Sequence, residues 1–284
     1  MTRREHRVEQ VVVHAVLVLA CAFAIYPVLL VLKKALSPGQ QFDLSLSPIP
    51  GSITLAHFRD VITASDPGSG HWLFGRQLLN SFLVAGATTL LGVSASCTAA
   101  YALSRHRFPG RQSSMGAFLA VQMFPATLLL IPLYVLLDRL GLLNRLLGLT
   151  LVYSTTAIPF CVWTLKGYFD TLPRELEEAA RIDGAGPFGV FFRVVLPLSR
   201  PAIAVTALFS FMTAWNEFIL AGTFMTQQES FTLPVLIHQY VGQYDAEWGH
   251  FAAGAILVSL PVMILFYALQ KHLVSGLTAG GVKG

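Results

Sequence analysis

Charge is scarce in this 284-residue chain: Asp, Glu, Lys and Arg make up 12% of it, about half the share carried by ordinary soluble domains. With 54% hydrophobic residues and a mean hydropathy of +0.62, the composition excludes a soluble globular protein, a disordered chain and a fibrous one. The net charge of +4 is too small and too dispersed for a nucleic-acid groove. Cysteine is equally sparse. Cys21, Cys97 and Cys161 form no C-x-x-C pair and sit in apolar runs, so neither a disulfide framework nor a metal site is implied. No G-x-x-x-x-G-K-[ST] loop exists to cradle the phosphates of ATP. No H-E-x-x-H or G-x-G-D marks an intramembrane protease, and His14 and His250 fall near span ends, so no catalytic residue is expected.

What is present is a set of long uncharged stretches, each sufficient for the ~20 apolar residues that cross ~30 Å of hydrocarbon. They are Gln10–Leu32, Gln77–Ser104, Gln112–Leu137, Leu146–Leu165, Pro201–Gln228 (interrupted by Glu217) and Trp248–Gln270. The expected fold is therefore an all-α polytopic membrane protein with six spans. The first run exceeds the ~7–15-residue core of a signal peptide, so it reads as an uncleaved anchor despite Arg3, Arg4 and Arg7 ahead of it. Lys and Arg collect on the inner side of membranes. An inside N-terminus places thirteen of the nineteen within: Arg3, Arg4, Arg7, Arg105, Arg107, Arg111, Lys166, Arg174, Arg181, Arg193, Arg200, Lys271 and Lys283. Both termini are then inside, with residues 1–10 and 273–284 flanking a membrane domain over 11–272. Lys33 and Lys34 are a local exception. Trp72 and Trp248 lie at span edges, where an amphipathic ring suits the headgroup level. A secondary transporter commonly carries several buried ionisable groups, whereas here Glu217 alone lies inside a span. Its desolvation costs at least ~2.5–3.5 kcal/mol. With Asn216 beside it, it is expected either to line a pore or to take a bundle-facing structural role, paired with a polar group of another subunit.

The inner loop over 171–200 carries the densest local signal. Pro173 suits a first helical turn, Glu175, Glu177 and Glu178 complement a helix N-terminus, and Gly184 can take the left-handed conformation that ends a helix, giving an expected helix over Pro173–Asp183. Pro187 restarts a helix whose Phe188, Phe191, Phe192 and Val195 recur at helical spacing, before Pro197 stops it. Periodicity alone leaves open whether that apolar face meets another protein, its own bundle or lipid headgroups.

The spacing Glu178-Ala179-Ala180, three residues, Gly184, nine residues, Val194, one residue, Leu196-Pro197 resembles the EAA loop of ABC-importer permeases, with Val194 where isoleucine is usual. The likeness extends over nearly the whole chain to MalG-type permeases, the smaller permease subunits of maltose/maltodextrin importers. It is carried by Tyr101-Ala102-Leu103-Ser104-Arg105, Phe108-Pro109-Gly110, Gln122-Met123-Phe124-Pro125, Trp163-Thr164-Leu165-Lys166-Gly167-Tyr168-Phe169, Trp248-Gly249-His250-Phe251-Ala252-Ala253 and the ending from Gly276 to Gly284. The first span and the following outer loop match least.

The resemblance implies a type I importer permease fold in a bacterial inner membrane. The implied partners are a larger MalF-like permease, two cytosolic MalK-like ATPases that bind ATP and Mg, and an extracytoplasmic sugar-binding protein; the chain itself would hold no cofactor or metal. It further implies that Glu178, Ala179, Ala180, Asp183, Gly184, Leu196 and Pro197 couple to an ATPase, with spans 4 and 5 carrying the displacement. The outer loop over 224–247 would enter the sugar cleft of the binding protein through a tip including Gly242, Gln243, Tyr244 and Asp245. Gly280, Gly281 and Lys283 in the tail would reach the ATPase interface. The cargo stays open between maltodextrins and trehalose, another oligosaccharide or glycerol phosphate.

Overall fold

The computed structural model describes residues 3–281 apart from 43, 67, 243 and 244. Among these residues no β-strand forms, and only the isolated bridges Ser65–Trp72 and Val241–Ala246 interrupt an all-helical architecture. In chain order the helices are α1 (Arg3–Leu36), α2 (Ala56–Thr63), α3 (Leu73–Arg105), α4 (Arg111–Gln122), α5 (Leu130–Arg139), α6 (Leu146–Thr171) and α7 (Glu175–Ile182). There follow α8 (Pro187–Leu198), α9 (Arg200–Asn216), α10 (Ile219–Phe224), α11 (Leu233–Gln239) and α12 (Trp248–Gly281).

Four stretches are long and apolar enough to cross a bilayer unbroken: Glu9–Leu36, Leu73–Arg105, Leu146–Thr171 and Trp248–Gln270. Two expected spans are broken instead. The third stretch parts at Met123-Phe124-Pro125, where α4 and the helix from Thr127 to Arg139 meet at 87°. Pro125 has no N–H to donate and turns Phe124 away from the helical region. The fifth stretch ends its helix at Asn216, because Glu217 is extended (φ −74°, ψ 128°) before α10 restarts. Proline does not stop α8 where expected. The helix runs through Pro197 by widening into a π-turn over Phe191–Val195, which relieves the clash of the ring with the preceding turn. The 77° bend to α9 follows at Ser199, whose N–H and Oγ both reach the Val195 carbonyl (3.0 and 2.8 Å).

The residues group into two compact units. In the first, 1–74 with 237–260, the apolar residues of α1 are exposed along the span. The Lys33 and Lys34 exception to the charge rule has a local cause: their amines donate to the carbonyls of Ser45 (3.2 Å) and Gly39 (2.9 Å), fixing the loop that leaves α1. Gln40 organises the rest. Its Oε1 accepts from the backbone N–H groups of Gly249 (2.9 Å) and His250 (3.3 Å), which turns its amide nitrogen toward His57 Nδ1 (3.3 Å) and His250 Nε2 (3.1 Å). His57 Nδ1 therefore accepts, while His250 Nε2 also faces the Asp60 carboxylate (3.3 Å). His57 Nε2 donates to the Ser37 carbonyl (2.9 Å) and His250 Nδ1 to Glu247 (2.5 Å). Gly249 is required beneath this cluster, since a Cβ there would stand 2.5 Å from the His57 ring.

In the second unit, 75–236 with 261–284, a core of Val93, Cys97, Ala100, Leu165, Phe169, Val190, Phe191, Val195 and Ala202 joins α3, α6, α8 and α9. At the other end of α3, Gln77 and Asn80 donate to the carbonyls of Gln228 (2.8 Å), Glu229 (2.8 Å) and Phe231 (3.0 Å), while Ser81 Oγ accepts from Leu233 N–H (2.7 Å). The start of the loop over 224–247 is thus fastened to α3.

Candidate functional site

Helix α7 begins two residues later than Pro173 suggests, at Glu175, and ends at Ile182. Its end is a Schellman motif: Ala185 N–H reaches the Ala180 carbonyl (2.9 Å), Gly184 N–H reaches that of Arg181 (3.0 Å), and Gly184 has φ +87°. The expected left-handed glycine is therefore present. The following α8 presents two faces where one was expected. Val190, Phe191 and Val195 are buried in the core, whereas Phe188 (80% exposed) and Phe192 face outward. They are joined in exposure by Leu176 and by Ile182, at 87%. Of the residues singled out by spacing, Glu178, Ala179, Asp183 and Gly184 are exposed, and Ala180, Leu196 and Pro197 are half-buried. The segment is thus anchored on one side and open on the other, with an outer surface that mixes apolar side chains with acids (Glu175, Glu178, Asp183) and arginines (Arg174, Arg181, Arg193).

The anchor is a set of residues to which spacing gave no role. Glu177 is the inward acid of the three in the first turn of α7, and it pairs with Arg105 at the end of α3 (Nε to Oε1, 2.5 Å), both side chains being only 6% exposed. Tyr101 donates its hydroxyl to the other carboxylate oxygen (3.1 Å). The remaining Arg105 nitrogens donate to the Leu172 carbonyl (3.2 Å) and to Ser104 Oγ (3.0 Å). Ser104 in turn donates to Asp170 (2.6 Å), which also receives Lys166 (2.5 Å). A signal existed in the sequence, since Arg105 closes one of the family-like stretches and Lys166 lies within another, but nothing local paired Arg105 with Glu177.

Glu217 is satisfied within the chain. Tyr153 donates to its Oε2, and its two oxygens accept from Leu220 N–H (2.9 Å) and Ala221 N–H (3.1 Å), which caps α10. These partners lie within the chain, where a partner on another subunit was expected, while Asn216 is exposed. The outer turn expected near 241–246 closes through the Val241–Ala246 bridge, with Gly242 N–H on the Asp245 carbonyl (3.0 Å) and Glu247 N–H on that of Tyr240 (2.8 Å). A Cβ on Gly242 would meet the Asp245 carbonyl at 2.9 Å. Gln243 and Tyr244 lie outside the described residues, as does Lys283. Gly280 and Gly281 form the end of α12, so the stretch expected as a tail continues the helix. Tyr240, at the base of the turn, has its phenol pushed above the usual range by burial and then by the negative charges of Glu247 and Asp60. Asn144, also without a sequence signal, takes φ +56° and accepts on its side-chain oxygen from Thr226 N–H (2.6 Å) and Gln227 N–H (3.3 Å), fixing the turn before α6.

Long apolar helices, two broken spans and an anchored loop with an open face fit a polytopic membrane protein. Residues 89–279 match the family described as binding-protein-dependent transport system inner membrane component, and the chain belongs to that family. It is 40% identical over 263 residues to the maltodextrin transport system permease MdxG of Bacillus subtilis strain 168, covering 92% of this chain and 91% of that one. It is 39% identical over 289 residues to the maltose/maltodextrin permease MalG of Escherichia coli K12 (96% and 95% covered). The galactooligosaccharide permease GanQ of B. subtilis is 39% identical over 262 residues (92% and 90%). A subunit of a bacterial ABC transporter that imports the acidic polysaccharide alginate shares the fold, with a TM-score of 0.77 at 22% identity over 96% of this chain and 99% of that one. The protein is an ABC-importer permease component of the inner membrane and not an enzyme.

Proposed function

We propose that this chain is one of two permease subunits of an ATP-driven maltose/maltodextrin importer, and that α7 and the start of α8 dock on a cytosolic ATPase. The observation that carries the docking is the outward set Leu176, Ile182, Phe188 and Phe192 beside Glu178, held in place by a buried opposite side. Apolar side chains among charges of both signs, on a rigid mount, have the make-up of a protein interface. Counting each bent pair as one crossing gives six spans. An even number of crossings keeps both termini on one side, and the Lys/Arg bias of the loops supports the cytosol as the side of the termini and of α7. The partners are a larger MalF-like permease, two MalK-like ATPases holding ATP and Mg, and an outer sugar-binding protein approached by the turn around Gly242 and Asp245. The chain holds no cofactor of its own. The cargo reading is supported by MdxG and MalG, and GanQ keeps another oligosaccharide as the alternative.

The test is reconstitution of the complex in liposomes, measuring ATP hydrolysis with binding protein loaded with maltose or with a galactooligosaccharide. Stimulation by the maltose-loaded form supports the reading. Stimulation by the galactooligosaccharide-loaded form alone reassigns the cargo, and failure to hold an ATPase overturns the docking.

A further inference from the structure

We propose that Arg105 and Glu177 are a positioning pair that makes α3, and not only the covalently attached α6, α8 and α9, follow the movement of α7. The inference rests on the reading of α7 as the ATPase-docking helix. Three observations lead to it.

The first is where the covalent links are weak. On one side α7 joins α6 through Leu172-Pro173-Arg174, and on the other it ends at the left-handed Gly184 and at Gly186. Such joints bend more readily than a continuous helix. The second is what a single guanidinium holds together. Arg105 donates to Glu177 of α7 (2.5 Å), to the Leu172 carbonyl of the linker (3.2 Å), and through Ser104 to Asp170 at the end of α6. At 6% exposure for both partners, separating the charges by even one water layer would leave each desolvated and unpaired, a costly state. The end of α3 and α7 therefore move together or not at all.

The third observation is at the far end of the same helix. Over its 33 residues, about 50 Å at 1.5 Å per residue, α3 runs to Gln77, Asn80 and Ser81, which hold the backbone of Gln228, Glu229, Phe231 and Leu233. A rigid helix is thus clamped at one end to the ATPase-docking element and at the other to the base of the outer loop. Motion of α7 reaches that base through α3 in one rigid-body step, and an event on the outer loop returns by the same route, as reciprocity of coupling requires.

The experiment uses the full reconstituted complex with maltose-loaded binding protein and compares wild type, Glu177→Gln, Arg105→Gln and the double variant. A single substitution strands one buried charge and can block assembly; the double variant strands none, so it reports on the pair itself. The expected result is a double variant that assembles in wild-type amounts and keeps basal ATP hydrolysis. Its stimulation by binding protein should fall by roughly tenfold, with uptake falling in step. Glu178→Gln, on the exposed side of α7, should leave the Arg105–Glu177 link intact and the thermal stability of the permease pair without its ATPases unchanged; a loss as large as the double variant's would overturn the assignment of the effect to the buried pair. A double variant with wild-type stimulation and uptake would reduce the pair to a packing feature and overturn the proposal. Loss of ATPase association in the wild type would instead overturn the docking reading on which it rests.

Discussion

Replacing Gly184 with valine perturbs the joint after α7 through the backbone alone. A Cβ built on Gly184 meets no heavy atom within 4 Å, so steric crowding contributes nothing. The φ of +87° is what a side chain resists, at about 1–2 kcal/mol for an L-residue and toward the upper end for a β-branched one. That is small beside the ~5–15 kcal/mol stability of a typical domain, so the protein should fold and assemble. It is large for a joint, because ~1.4 kcal/mol is tenfold in the population of one geometry. Relaxing φ would also strain the bonds from Gly184 to Arg181 and Ala185 to Ala180 (3.0 and 2.9 Å), each worth about 0.5–1.5 kcal/mol. The series Gly, Asn, Ala, Val should therefore lower uptake per ATP hydrolysed in that order, with asparagine mildest because it tolerates the left-handed region. The assay is the ratio of sugar uptake to phosphate release in liposomes. Equal ratios for valine and glycine would refute the claim that this conformation matters to coupling, and a loss for asparagine as large as for valine would refute its backbone origin.

Three further substitutions test other parts of the structure. Glu217→Gln keeps an acceptor for Tyr153 but cannot accept from both Leu220 and Ala221, so it should cost about 0.5–2 kcal/mol by thermal unfolding and leave the apparent KM for sugar unchanged; an altered KM would restore a pore role. Asn80→Ala removes the donor to two loop carbonyls and should speed proteolysis within 228–247, whereas unchanged cleavage would show the loop is held elsewhere. Gln40→Ala strands the N–H groups of Gly249 and His250, with an expected cost of about 1–3 kcal/mol seen as a lower Tm of the purified complex; an unshifted Tm would count against Gln40 as the organiser of its unit.

The parts of this protein that were legible in sequence are those fixed by local chemistry. Uncharged length located four helices, since little besides an apolar helix suits hydrocarbon, though α1 and α12 run past the uncharged stretches to Arg3 and Gly281. Gly184 was legible because helix ends have few solutions. The breaks were harder, because hydropathy reads composition and not backbone: residues 112–137 and 201–228 are continuous in apolarity and discontinuous in hydrogen bonding. Pro125 was a usable warning that apolar length overrode, and Pro197 was a misleading one, because a π-turn absorbs it.

The Arg105–Glu177 pair was illegible for a different reason. Three acids stand together in the first turn of α7, and their shared agreement with the helix dipole hides which of them faces the protein. Position around the helix decides it: Glu177 points to Tyr101 and Arg105, and Glu178, one residue on, to solvent. The familiar spacing begins at the exposed acid, the one available to another subunit. Its buried neighbour holds the helix to α3, so on the docking reading two adjacent glutamates would meet two different bodies, and the segment between them is where force would pass from one to the other.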